Sequence, residues 1–155
     1  MRGTFLALLL FASAVRVQPE EVLTARALAA GFPGTTVYLA LVLEIQEGWV
    51  IQAHTPTLAY LIPTVLVVEP VPGVQVGKVI YPEPVEKFFS FARARLAVYS
   101  GTVVFIVPLT IEADASPGLR VLRGRLQVQP CTDTYCLFPE EREIFLHLWV
   151  LAKVP

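Results

Sequence analysis

Apolar residues alternate with polar or small ones at a period of two along much of the chain. Thr36 to Gln46 reads T-V-Y-L-A-L-V-L-E-I-Q, with Val37, Leu39, Leu41, Leu43 and Ile45 on one face and Glu44 and Gln46 on the other. Successive side chains of a strand point to opposite faces, so this pattern predicts a half-buried strand. Glu47-Gly48 supplies a turn, and Trp49 to Ala53 continues as a strand. Pro63 to Val68 is β-branched and apolar and is ended by Pro70, Pro72 and Gly73. Val76 to Tyr81 predicts another short strand. Glu83 to Phe91 breaks the alternation with Pro84 and with Phe88, Phe89 and Phe91, and reads as a loop. Strands resume at Leu96 to Tyr99 and, after the Ser100-Gly101 turn, at Thr102 to Ala113. Asp114 to Gly118 reads as a turn. Leu122 to Gln129 sets Leu126 and Val128 against Arg125 and Gln127, and Ile144 to Leu151 puts Ile144, Leu146, Leu148 and Val150 on one face. Glu140, Glu141 and Arg142 read as solvated turn charges.

Roughly eight or nine short strands with turn signals between them, and no helix, predict an all-β antiparallel sandwich. No linker, repeat or second domain interrupts the pattern.

Composition raises one question, because 55% of the 155 residues are hydrophobic. Trp49 to Val68 carries no formal charge, yet Pro56, Pro63, Gln52, His54 and its threonines exclude a membrane helix. The N-terminus differs. Arg2, the apolar run Thr4 to Phe11 and Ala12-Ser13-Ala14 predict a signal peptide over 1–14, cleaved after Ala14. The run is too short to span ~30 Å of hydrocarbon. The alternative is an uncleaved anchor. The expected product is a soluble, exported domain over 15–155. A net charge of −1 with 16% charged residues leaves no basic surplus for nucleic acid. Nothing points to a cofactor or a small-molecule substrate, and a monomer is expected.

Cys131 and Cys136, separated by Thr-Asp-Thr-Tyr, carry the candidate chemistry. Thr132, Asp133 and Thr134 form turns readily, so the cysteines flank a hairpin tip and face one another within disulfide reach. Export favours the bond. Closing so short a loop stabilises by only ~2 kcal/mol, and a domain of this size does not need that staple. The spacing is also not C-x-x-C, and no helix N-terminus follows to lower a thiol pKa. These considerations leave a structural and a redox role both open. Zinc needs two more ligands, and nothing places His54 and His147 nearby; no metal is expected. A weaker alternative is a soft metal such as Cu(I) held by the reduced pair and a histidine.

The segments W-V-I-Q-A-H-T-P-T…Y-L-I-P-T-V-L (Trp49 to Leu66), V-I-Y-P (Val79 to Pro82), V-Y-S-G (Val98 to Gly101) and G-R-L-Q-V-Q-P-C-T-D-T-Y-C-L-F-P (Gly124 to Pro139) resemble the N-terminal periplasmic domain of DsbD, the thiol:disulfide interchange protein. The resemblance covers Val22 to Val150; its specific parts are the cysteine and Y-L-I-P-T segments. It implies an immunoglobulin-like sandwich in the periplasm whose Cys131 and Cys136 cycle between dithiol and disulfide, with Cys136 the sulfur linked to partners. It also implies a mobile aromatic cap, for which Phe88 and Phe89 are candidates and Phe91 a weaker one; the alternative is ordinary core. The implied partners are thioredoxin-like proteins or a separate membrane electron-channel protein, and the implied targets are oxidoreductases that isomerise disulfides or assist cytochrome c maturation. Tyr135 and Asp133 are candidate partner contacts, although Tyr135 equally suits packing on the sheet. The chain departs from the family at Val50, often His, and at His54, often Asn. It also ends at Pro155 without an electron channel or a thioredoxin-like domain, so electrons are expected from a separate protein. The alternative function is a binding or adaptor sandwich with a structural disulfide.

Overall fold

The computed structural model describes residues 21–154; the leader expected over 1–14 lies outside the described residues. These form eleven strands: β1 (Leu23–Gly31), β2 (Thr36–Ile45), β3 (Val50–Gln52), β4 (Val65–Val68), β5 (Val74–Val76), β6 (Val85–Phe89), β7 (Ala94–Tyr99), β8 (Thr102–Ile111), β9 (Gly118–Val128), β10 (Pro130–Cys131) and β11 (Glu140–Val150). No helix occurs among the described residues, so none is long and apolar enough to cross a membrane.

The strands with the clearest alternation make the longest ladders. β2 pairs antiparallel with β8 from Thr36↔Thr110 to Glu44↔Thr102, and β9 pairs antiparallel with β11 from Gly118↔Val150 to Val128↔Glu140. Hydrogen bonding runs in the order β4-β9-β11-β1-β2-β8-β5. This run folds over at β1, which changes partner midway. Leu23 to Ala27 lie antiparallel to β2, and Leu28 to Gly31 lie parallel to β11. The sandwich therefore contains one parallel pair, because a strand that crosses between layers meets its second partner in the opposite sense. Gly31 marks the close approach of the layers. A Cβ there would collide with Val37 of β2 and come within 2.9 Å of Ile111 Cδ1 of β8.

Between the layers lies the main core: Leu39, Leu41 and Leu43 from β2, Phe105 to Ile111 at alternate positions from β8, Leu122, Leu126 and Val128 from β9, and Leu146, Leu148 and Val150 from β11. The alternating apolar positions of these strands thus lie inside, as expected of an all-β immunoglobulin-like sandwich, while other large apolar side chains such as Leu28, Tyr38 and Phe138 are exposed.

The structure corrects four local expectations. β1 escaped the pattern reading because L-T-A-R-A-L-A-A-G is rich in alanine rather than β-branched residues. β5 is Val74–Val76 rather than Val76 to Tyr81; beyond Gly77 only Ile80 bridges, to Ile106. The expected loop from Glu83 to Phe91 contains β6, an edge strand exposed over its first four residues, where burial imposes no alternation. Glu140, Glu141 and Arg142 open β11 rather than a turn. The Arg142 guanidinium donates to the Leu23 carbonyl at 2.6 Å and to Glu140 at 2.8 Å, which ties β11 to the start of β1.

A second, smaller sheet has the order β10-β3-β7-β6. β10 continues β9 past a break at Gln129 and pairs with β3, Pro130 opposite Ile51 and Cys131 opposite Val50. One face of this sheet, with Ile51 and Tyr99, joins the main core. The other face holds a separate cluster of Val50, Phe89, Leu96, Val98 and Cys131.

Candidate functional site

Cys131 and Cys136 form a disulfide. Thr132 N–H donates to the Tyr135 carbonyl and Leu137 N–H to the Pro130 carbonyl, each at 2.8 Å. These bonds flank the cysteines, which therefore occupy a non-hydrogen-bonded pair, the closest position of an antiparallel ladder. Their Cα atoms are 3.9 Å apart, closer than the ~4.4–6.8 Å usual for disulfides. Thr132 shapes the tip, since its hydroxyl accepts from the N–H of Thr134 and of Tyr135.

The two sulfurs sit in different surroundings. Cys131 is fully buried and belongs to the cluster on the small sheet, whereas Cys136 packs at its edge and is partly exposed. Two segments cover them. The first is the loop between β3 and β4, which contributes Leu58 and Leu61. It is pinned by many hydrogen bonds: Gln129 Oε1 accepts from Ile62 N–H at 2.9 Å, Gln127 donates to the Pro63 carbonyl at 3.1 Å, and Thr57 Oγ1 accepts from Ala97 N–H at 2.8 Å. The Thr64 hydroxyl donates to the Gln52 carbonyl, and His54 Nδ1 lies 2.9 Å from the Thr64 carbonyl oxygen.

The second cover is the β6–β7 hairpin. Period two places Phe89 on the cysteine side and Phe88 on the other. Phe89 is 2% exposed and belongs to the cysteine cluster, whereas Phe88 is 61% exposed. Phe91, in the hairpin turn, lies with its ring centroid 5.5 Å from that of Phe89, and Ala92 packs on the same cluster. Among the described residues, this turn is hydrogen-bonded to the cysteine hairpin only through Ser90. Its N–H and Oγ both donate to the Asp133 carbonyl, at 3.4 and 3.2 Å. The exposed side chain of Asp133 takes no part in that contact. Tyr135 is half exposed and meets Trp49 edge-on, with centroids 6.1 Å apart.

Among the described residues, one buried polar side chain touches the site, and the Gln129 carbonyl oxygen lies 3.8 Å from Cys131 Sγ. Gln52 is fully buried, its Nε2 lies 3.2 Å from Cys131 Sγ, and its Oε1 has no hydrogen-bond partner. Sequence reasoning assigned no role at the site to Gln52, Leu58, Leu61 or Ser90. The available signal for Gln52 was a lone amide in the otherwise apolar run W-V-I-Q-A. His54 lies elsewhere, stacked on Tyr81 with centroids 3.7 Å apart.

Among solved structures, the chain is similar to the DsbD N-terminal domain of Neisseria meningitidis in its reduced form, with a TM-score of 0.52 and 16% identity over 84% of this chain and 89% of that one. It is also similar to the N-terminal periplasmic domain of ScsB from Proteus mirabilis, with a TM-score of 0.54 and 19% identity over 80% of this chain and 44% of that one, so it spans under half of that relative. At such identities these likenesses show a shared fold. No curated protein matches the chain in sequence. The family model described as "Thiol:disulfide interchange protein DsbD, N-terminal" matches residues 16–148, and the chain therefore belongs to that family.

Proposed function

We propose that this domain is a thiol–disulfide carrier of the extracytoplasmic space, which passes electrons between a thioredoxin-like donor and target oxidoreductases through Cys131 and Cys136. Family membership supports a role in thiol–disulfide exchange. The observation that carries the finer reading is the asymmetry of the disulfide: one sulfur fully buried, the other partly exposed beneath a hairpin tied to it through one carbonyl. A bond kept only for stability gains little from such a cover, because closing a six-residue ring contributes ~2 kcal/mol at most.

In this reading a donor thiolate attacks Cys136 Sγ after the β6–β7 hairpin moves aside. The Cys131–Cys136 bond breaks, Cys131 leaves as a thiolate, and a mixed disulfide joins donor and carrier. The donor's second thiolate then attacks its own bridged sulfur and releases Cys136. Two electrons have moved, the donor ends as a disulfide, and the carrier takes up two protons. Delivery to a target reverses these steps: Cys136 attacks and Cys131 resolves. Phe89 shields the pair between encounters, and Tyr135 and Asp133 at the hairpin tip meet the partner. A cleaved signal over 1–14, leaving a domain from 15 onward, would deliver the protein to the periplasm. A thioredoxin-like protein or a membrane electron-channel protein is the proposed donor.

The test is redox equilibration of the oxidised domain in graded glutathione buffers, with free thiols trapped by alkylation and counted by mass. A midpoint between about −180 and −270 mV supports the carrier, since redox-cycling proteins lie there. A midpoint below about −300 mV identifies a structural staple in a binding domain and overturns the proposal.

A further inference from the structure

Reduction of the disulfide at Cys136 forces negative charge onto Cys131 Sγ, the departing sulfur. That sulfur is fully buried among Val50, Phe89, Leu96 and Val98. An apolar site disfavours a thiolate and raises its pKa, and a poorer leaving group leaves more slowly. Something must offset that penalty if the buried sulfur is to turn over.

The polar side chain in position to do so is Gln52. It lies on the same face of β3 as Val50, diagonally across from Cys131. Its backbone is fixed on three sides: its N–H donates to the Gln129 carbonyl, its carbonyl accepts from the Thr64 hydroxyl, and it pairs with Val98 of β7. Its Nε2 lies 3.2 Å from Cys131 Sγ, whereas its buried Oε1 meets no donor. An amide buried with half its hydrogen-bonding capacity unused is a rarity that calls for a reason, and a redox role is one. Resting on the carrier reading above, we infer that Gln52 is a positioning residue for the Cys131 leaving group.

Its N–H is aimed at the sulfur before reaction and strengthens as charge develops there, in the manner of a preorganised anion-binding donor. The same amide serves the protonated thiol. A half-turn of its terminal group presents Oε1 to the Cys131 S–H, so the orphaned acceptor gains a partner in the reduced state. Gln52 thus favours the dithiol over the disulfide and the Cys131 thiolate over an unassisted buried one.

The test titrates the Cys131 thiol by its ultraviolet thiolate absorbance in a Cys136→Ala background, with Gln52, Gln52→Met or Gln52→Leu. In the intact disulfide, the rate of reduction by dithiothreitol at fixed pH is measured for the same three residues. Gln52→Met keeps the length and removes the donor. It is expected to raise the Cys131 pKa and slow reduction by at least about tenfold, the factor that one hydrogen bond to a charged group supplies. Gln52→Leu keeps most of the volume, also removes the donor, adds no charge, and is expected to raise the pKa in the same way. It decides the question should Gln52→Met fail to fold. An unchanged or lowered pKa in whichever variant folds, whatever happens to thermal stability, means that Gln52 only fills space and overturns the inference. The thiolate titration involves no partner, so it is independent of the glutathione midpoint. A failure of the inference is thereby told apart from a failure of the carrier reading on which it rests.

Discussion

Replacing Phe89 by alanine should separate the two covers of the disulfide. Phe89 is 2% exposed at the end of β6 and packs into the cluster that contains Leu96, Val98 and Cys131. A phenylalanine buries about 150–250 Å². At ~25 cal/mol per Å² that is worth about 4–6 kcal/mol as an upper bound, from which the part that alanine retains is subtracted. Buried Phe→Ala substitutions cost about 3–5 kcal/mol. Since β6 is an edge strand and the hairpin can settle into the vacated space, a loss of about 3 kcal/mol in urea unfolding is expected for the oxidised protein. Part of that loss falls on closure of the hairpin alone. If half does, the open fraction, and with it the rate of reduction by dithiothreitol, rises about tenfold, because each 1.4 kcal/mol is a factor of ten. Phe88→Ala is the control. With its ring 61% exposed on the other face, it should change stability by under about 0.5 kcal/mol and leave the rate alone. An accelerated Phe88→Ala beside an unaffected Phe89→Ala would refute the reasoning and move the cap to the outer face of the hairpin.

Ser90→Ala removes the Oγ bond to the Asp133 carbonyl but keeps the N–H bond, so it should cost at most about 1 kcal/mol and speed reduction up to about fivefold. No acceleration in an alkylation time course would mean that the hairpin is held by its apolar contacts alone. Burial raises the pKa of both Tyr81 and Tyr99 from the ordinary 10.0. The folded state thus holds these protons more tightly than the unfolded chain. Their contribution is complete below about pH 10 and is lost as pH rises through the raised native values. Urea unfolding across the alkaline range should therefore show stability falling above pH 10. Tyr81→Phe should flatten that fall while costing about 1 kcal/mol at neutral pH, because the Leu66 N–H loses its acceptor.

What could be read from the sequence depended on how strongly burial constrains each strand. β2, β8 and β11 stood out because Leu39-Leu41-Leu43, Phe105-Val107-Leu109 and Leu146-Leu148-Val150 are buried between two layers while their neighbours are not. That constraint writes a period of two into the chain. β1 swaps partners at its middle and needs small residues for the layers to approach, so alanines and Gly31 replace the β-branched signal. β6 lies at an edge, where only Phe89 is buried, and one buried residue makes no pattern. The cysteine hairpin was legible because turn-forming residues between two cysteines dictate a local geometry. Its surroundings were not. Gln52 and Leu61 reach Cys131 from far along the chain, and nothing in the local sequence encodes a contact between Gln52 and a sulfur 79 residues away.

The unequal burial of the two sulfurs bears on which one meets a partner. Exchange needs three sulfurs roughly in line, so the attacked atom must be approachable along the extension of the S–S bond. Cys131 is closed in by β3, β7 and Phe89, and in that cluster a third sulfur would displace core. Cys136 is partly exposed, between Tyr135 and Leu137, which are 51% and 40% exposed. Attack at Cys136 therefore requires only that the β6–β7 turn shift, whereas attack at Cys131 requires the small sheet to open. Single-cysteine variants measure the difference. Cys131→Ala leaves Cys136 free, and it should react with iodoacetamide, and form a mixed disulfide with a thioredoxin-like partner, at least about tenfold faster than Cys136→Ala, whose remaining thiol is buried. Adding Phe89→Ala should narrow the gap by exposing Cys131. Equal rates in the two single variants would mean that the cluster opens as readily at its centre as at its edge, and the assignment of Cys136 as the attacked sulfur would fall.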